Sequence, residues 1–168
     1  MKVEKTKLNG VLLITPPIMA EDFRGTNTEI YHKELYYQNG IKTNFILDSV
    51  STSRKNVLRG IHGDDRTTKL ISCLHGCIYF VVLNCDATSP QFGMWQSFTL
   101  SEQNRQQVLV PPNFGNGHLV MSDHCVFHYK LNAYYDRNSQ FTIRWNDSGH
   151  NIWWPIKNPI LSERDSLI

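Results

Sequence analysis

Short apolar runs punctuate residues 44–131: "NFILDSVS", "KLISCL", "CIYFVVLN", "WQSFTL", "QQVLVP", "HLVMS" and "CVFHYKL". Each carries β-branched or aromatic residues. Turn formers separate them, at Gly60, Gly76, Asp86 to Pro90, Pro111-Pro112-Asn113 and Ser122-Asp123. Many short strands at this spacing predict an antiparallel, all-β sandwich or barrel. Helical periodicity is weak, and only short helical pieces are expected, near "HKELYYQNG" or "SEQNRQ". The last thirty residues, with "RWNDSGHNIWWP", read as irregular chain packed on the barrel by tryptophans, with Ile160 and Leu161 anchoring the tail. With neither an internal repeat nor a long linker, residues 1–168 form one expected domain, large enough to bury a core.

A double-sheet jelly roll suits this pattern, and its interior has room for a small ligand. Strand parity then becomes chemistry. In "HCVFHYK", Cys125, Phe127 and Tyr129 share one face, and His124, Val126 and His128 share the other. Only one of these faces can look into a pocket.

Charge changes the picture little. The 17 basic and 15 acidic side chains leave a formal net charge of +2, so nucleic acid is not an expected partner. Anion binding must come from local placement of arginine and lysine. Cys73, Cys77, Cys85 and Cys125 form neither a CxxC pair nor a zinc-spaced cluster, so reduced thiols and a cytoplasmic location are expected. The run "GVLLITPPIM" is too short for a membrane span or signal peptide and is broken by Pro16-Pro17.

The chemistry concentrates in "LRGIHGDDRTTKL", residues 58–70. A metal site is disfavoured: metal-binding jelly rolls usually present two histidines two residues apart, and His62 has no partner at position 60 or 64. Asp64 and Asp65 are adjacent, so their side chains diverge in extended chain. A solvated loop of mixed charge is the plain alternative. Against it stands Arg59, in strand-like sequence where a cation needs an anion. Lys69 opens the next strand, and across a hairpin it is expected to approach His62 inside the barrel.

The blocks "DFRG" with Glu29, "VLRGIH", "KL" at 69–70, "GMW", "FHYKLNAYYD", "IRWND" and "WPIKNPILSERD" resemble the sugar-nucleotide 3,5-epimerases of the dTDP-4-keto-6-deoxyglucose type. They run in the family's order over nearly the whole chain. The resemblance implies a cupin-type jelly roll that works without metal or cofactor, usually as a homodimer exchanging N-terminal strands. It implies inversion at C3, C5 or both of a nucleotide-diphospho-4-keto-sugar, in deoxysugar or heptose synthesis for surface polysaccharide. By matching position, His62 resembles the base and Asp165 the carboxylate that raises its pKa and fixes its tautomer. Tyr129 resembles the opposite-face acid and Lys69 the enolate-stabilising cation. Arg24 and Arg59 resemble a diphosphate clamp, and Glu29 a nucleotide contact reached across the dimer. Tyr135, Asn116 and His118 fall in substrate-binding blocks.

This chain departs from the family around those blocks. Thr26, Asn27 and Thr28 stand where an aromatic-rich run is usual, and Leu47-Asp48-Ser49 where "QDN" is usual. In "PPNFGNGHLV", Asn116 replaces a histidine and His118 a phenylalanine, and the His62–Lys69 stretch is shorter. These changes point to an altered substrate, such as a guanine nucleotide or a 4-keto heptose, as in the GDP-linked epimerases of capsule heptose synthesis. Asn116 is also a candidate for restricting the reaction to one carbon. The alternatives are a 3,4-ketoisomerase of the same fold, which wants a histidine pair after the first motif, and a non-catalytic sugar-binding jelly roll.

Overall fold

The computed structural model describes residues 1–166. One sheet has six strands in the order β1 (Lys2–Lys5), β2 (Leu12–Thr15), β10 (Gln107–Val110), β7 (Lys69–His75), β12 (His124–Leu131) and β5 (Leu47–Arg54). A second has five, in the order β13 (Phe141–Thr142), β6 (Leu58–Gly63), β11 (Phe114–Val120), β8 (Cys77–Asn84) and β9 (Trp95–Ser101). The strand pairs within both sheets are antiparallel. This is the expected all-β jelly roll with short helical pieces, α1 (Lys33–Gln38) and α2 (Glu163–Ser166).

The main core fills the space between the sheets. It joins Ile71 and Cys73 of β7, Val108 and Val110 of β10, and Cys125 and Phe127 of β12 to Ile78, Phe80 and Val82 of β8. The alternate residues of β8 pack outward: Val81 and Leu83 meet Ile152 and Trp154 of the C-terminal chain. A strand covered on both faces explains why "CIYFVVLN" is continuously apolar rather than alternating. Trp154 fixes its crossing by donating Nε1–H to the Trp145 carbonyl at 2.7 Å. On the outer face of the six-stranded sheet, α1 buries Tyr36 against Ile14, Leu70 and Leu109.

The fold corrects three expectations. "SEQNRQ" is a turn, not a helix: Asn104 Oδ1 accepts from the Ser101 and Gln106 amides, and Ser101 Oγ accepts from the Asn104 amide. Such side-chain bonds compete with helical ones. Strand β11 starts at Phe114, well before "HLVMS". Lastly, β6 and β7 do not form a hairpin; they lie in different sheets. His62 and Lys69 thus approach from opposite walls rather than along one.

A two-stranded hairpin, β3 (Ile18–Asp22) and β4 (Gly25–Thr28), pairs with neither sheet. Its tip leaves Phe23 98% exposed, with Ile18 and Met19 also in solvent.

Candidate active site

Between the sheets a cavity of about 300 Å³ opens to solvent. Eight of the ten residues expected at the site line it: Arg59, His62, Lys69, Asn116, His118, Tyr129, Tyr135 and Asp165. Arg24 and Glu29 do not. Arg24 is paired with Asp22 on the exposed hairpin, and Glu29 lies 3.8 Å from His32.

Backbone geometry at Gly60 sets the first wall. Arg59 and His62 both face the cavity although an odd spacing should put them on opposite faces. The register of β6 against β11 shifts here: His62 pairs with Asn116, but Arg59 pairs with His118. Gly60 sits at φ +113°, and a Cβ there would lie 2.6 Å from the Asn116 carbonyl oxygen. Only glycine fits that backbone and that approach.

His62 Nε2 lies 2.6 Å from Asp165 Oδ1, a contact spanning 103 positions of chain. Asp165 is 5% exposed. Its other oxygen accepts from Ser162 Oγ at 2.9 Å and from the Gly60 amide at 3.4 Å. Burial works against its charge, but the bonds from His62, Ser162 and Gly60 outweigh it and hold the carboxyl below the usual range. An ionised carboxylate on Nε2 puts the ring proton there and leaves Nδ1 as the basic nitrogen.

Lys69 and Tyr129 come from the facing sheet. Lys69 is 7% exposed, and its Nζ donates to Asn116 Oδ1 at 2.8 Å and to the His62 carbonyl at 3.3 Å. Both partners are neutral, and burial pushes the ammonium down to about 8 despite the nearby Asp64 carboxylate. Tyr129 packs on Phe127, ring centroids 5.6 Å apart. The parity of β12 is the expected one: Phe127, Tyr129 and Leu131 line the cavity, while His128 pairs with Asp48 behind it.

His118 is 3% exposed and stacks on Phe127 with centroids 4.1 Å apart. Burial, helped by Arg59 and His62, pushes its pKa down to about 3, so the ring is neutral. Among the described residues its Nε2 has no hydrogen-bond partner. Among the described residues Arg59 meets only neutral oxygens: its Nε bonds to Ser53 Oγ at 3.0 Å and its Nη2 to the Thr52 carbonyl at 3.4 Å.

The cavity is also lined by residues outside the expected set, among them Asp64, Arg66, Ser162 and Arg164. Asp64 is buried and its Oδ1 accepts from the Arg66 and Thr67 amides, which closes the short turn. Arg66 reaches Asp136 from that turn. Arg164 holds Gln140 and Thr142. Ser162 was legible in principle, because Ser-x-x-Asp is the signature of a capped helix start, and here it holds Asp165. Among the described residues no group of three or more His, Cys, Asp or Glu side chains is arranged to hold a metal.

The fold is a cupin-type jelly roll, and one cavity between its sheets gathers a carboxylate-bound imidazole, a buried ammonium and a tyrosine. Residues 5–168 match the family model described as dTDP-4-dehydrorhamnose 3,5-epimerase. The Shigella flexneri enzyme of that name is 35% identical over 98% of this chain and 93% of its own length. The Bacillus anthracis dTDP-4-dehydrorhamnose 3,5-epimerase, crystallised with TDP and PPi, superposes with a TM-score of 0.95 at 34% identity, covering 99% of this chain and 97% of its own. A Legionella pneumophila dTDP-6-deoxy-D-glucose-3,5-epimerase in complex with dTDP-4-keto-L-rhamnose gives 0.92 at 33%, covering 98% and 89%. The chain belongs to the dTDP-4-dehydrorhamnose 3,5-epimerase family and is an isomerase.

Proposed function

We propose that this single jelly-roll domain inverts C3, C5 or both of a nucleoside-diphospho-4-keto-sugar. The observation that carries the reading is the His62–Asp165 pair at 2.6 Å, with Lys69 and Tyr129 reaching the same cavity from the opposite sheet.

A hydrogen on a carbon beside the C4 ketone is removable because the electron pair left behind spreads onto the ketone oxygen. His62 Nδ1 takes the proton, and Asp165 stabilises the imidazolium that forms. Lys69 is the donor for the enolate oxygen; already desolvated and held by Asn116, it reorganises little as negative charge develops. Tyr129, from the other wall, returns a proton to the opposite face and inverts the carbon. One proton leaves and one arrives, with no net oxidation, so the cycle requires no cofactor. Arg59 binds the diphosphate, where its fork meets two oxygens with no carboxylate bonded to it among the described residues.

Arg24 and Glu29 belong to this reading through a second copy of the chain. The β3–β4 hairpin exposes Ile18, Met19 and Phe23, an apolar surface that a homodimer would cover. We place the enzyme in the cytoplasm, consistent with four unpaired cysteines, and in the supply of sugars for surface polysaccharide. The test uses dTDP-4-keto-6-deoxyglucose in D₂O. The enzyme should wash deuterium into C3 or C5, and His62→Asn should abolish exchange while nucleotide binding persists. Undiminished exchange in that variant would move the base elsewhere.

A further inference from the structure

His118 is a buried polar side chain to which the steps above give no role. Its ring stacks on Phe127 with 4.1 Å between centroids and 14° between planes, which fixes its orientation. It lines the cavity and is 3% exposed. Among the described residues neither ring nitrogen has a hydrogen-bond partner, and of the two only Nε2 is sealed from solvent. Nδ1 is therefore the nitrogen turned to the cavity. Phenylalanine, usual at this position, would fill the same space without the cost of an unpaired polar atom. An imidazole here gains its missing bond from a ligand in the cavity.

Strand register places the group it meets. His118 lies opposite Arg59, and Asn116 opposite His62. Two positions apart on β11, His118 and Asn116 share a face and stand about 7 Å from each other. Asn116 also holds Lys69. One end of the cavity thus gathers the base and the enolate donor, and His118 stands at the other, beside the arginine assigned to the diphosphate. A pyranose carries its diphosphate on C1 and its ketone on C4, at opposite corners of the ring. Resting on the epimerase reading above, we infer that His118 binds the sugar hydroxyl on C2, the carbon between the diphosphate-bearing C1 and C3.

Chemistry favours that hydroxyl over its neighbours. The ring oxygen and the C1 oxygen only accept, whereas a hydroxyl donates and accepts and so suits either tautomer of a neutral imidazole. Neutrality matters as well. The C2 hydroxyl is β to the C4 ketone. Once the C3 proton is gone, the electron pair left on C3 can form a C2–C3 double bond and expel hydroxide from C2. An imidazolium would assist this loss by protonating the departing oxygen. Burial keeps His118 neutral, with its pKa pushed down to about 3. The ring therefore holds the hydroxyl without supplying that proton.

The test compares dTDP-4-keto-6-deoxyglucose with its 2-deoxy analogue, reading kcat/KM for deuterium exchange in the full enzyme. The quantity that matters is the preference for the hydroxylated sugar, and how it changes in His118→Phe. The inductive effect of the hydroxyl on the acidity of C3 is the same in both enzymes and cancels in that comparison. His118→Phe keeps the stack on Phe127 and removes both nitrogens, so the preference should shrink by about 10-fold, the worth of one neutral hydrogen bond. His118→Asn puts an amide near the place of Nδ1 and should retain more of the preference than phenylalanine does. This second variant also carries the test if the first fails to fold. An undiminished preference in His118→Phe, or one lost equally in both variants, would overturn the assignment and leave His118 as packing. Either result leaves the epimerase reading intact, whereas no exchange from either sugar with the unaltered enzyme would sink both.

Discussion

Asp165→Asn isolates the step on which the proposed chemistry rests. The substitution keeps shape and volume and removes one charge from a side chain that is 5% exposed. At 2.6 Å the bond to His62 Nε2 is charge-assisted, a class worth about 1.5–3 kcal/mol. Asparagine offers either its amide oxygen, a weaker partner, or its NH₂, which forces the ring proton onto Nδ1. In the second case the nitrogen that should take the substrate proton is already protonated. Loss of a general base costs about 10²–10⁴-fold, and a wrong-tautomer change in a carboxylate–histidine pair costs about 10⁴-fold. The assay pairs kcat/KM for epimerisation with deuterium exchange; both should fall together by about 10³–10⁴-fold with little change in nucleotide affinity. Stability adds a second reading. The folded-state pKa of Asp165 lies below its unfolded value, which is about 3.9. Its ionised form therefore stabilises the fold above that value, and the contribution disappears as pH falls through the folded pKa. The Tm gap between the enzyme and the variant should be largest near neutrality and close on acidification. A variant within about tenfold of full activity, or a Tm gap indifferent to pH, would refute the orienting role of Asp165.

Tyr129→Phe should cut net epimerisation by about 10²–10⁴-fold and deuterium exchange much less, because His62 still removes and returns protons on one face; product configuration and deuterium content in the same samples decide it. Lys69 is pushed down to about 8, so kcat should decline as pH rises through that value and the ammonium is lost. Asp64→Asn keeps the acceptor for the Arg66 and Thr67 amides but removes a charge that favours the ammonium, so the alkaline limb should move to lower pH. Gly60→Ala should destabilise the fold by about 1–3 kcal/mol from its positive φ alone, and by more from the 2.6 Å contact with the Asn116 carbonyl oxygen, read as a lower urea midpoint.

Spacing of apolar runs and turn formers was enough for the jelly roll, because strand burial is written locally, two residues at a time. The β12 face that lines the cavity was legible for the same reason: once Phe127 is inside, Tyr129 must follow. Matched sequence blocks also pointed to His62, Lys69, Tyr129 and Asp165. What they could not supply was arrangement. His62 and Lys69 are seven positions apart, yet they stand on opposite sheets because the chain crosses between layers at the turn Asp64 closes. Asp165 reaches His62 only because the tryptophan-anchored C-terminal chain returns across β6. The Arg66–Asp136 pair joins two loops separated by a full traverse of the barrel. Local pattern determines which face of a strand is dry, whereas contacts between distant residues depend on where sheets stack and loops converge, and only the packed tertiary structure decides that.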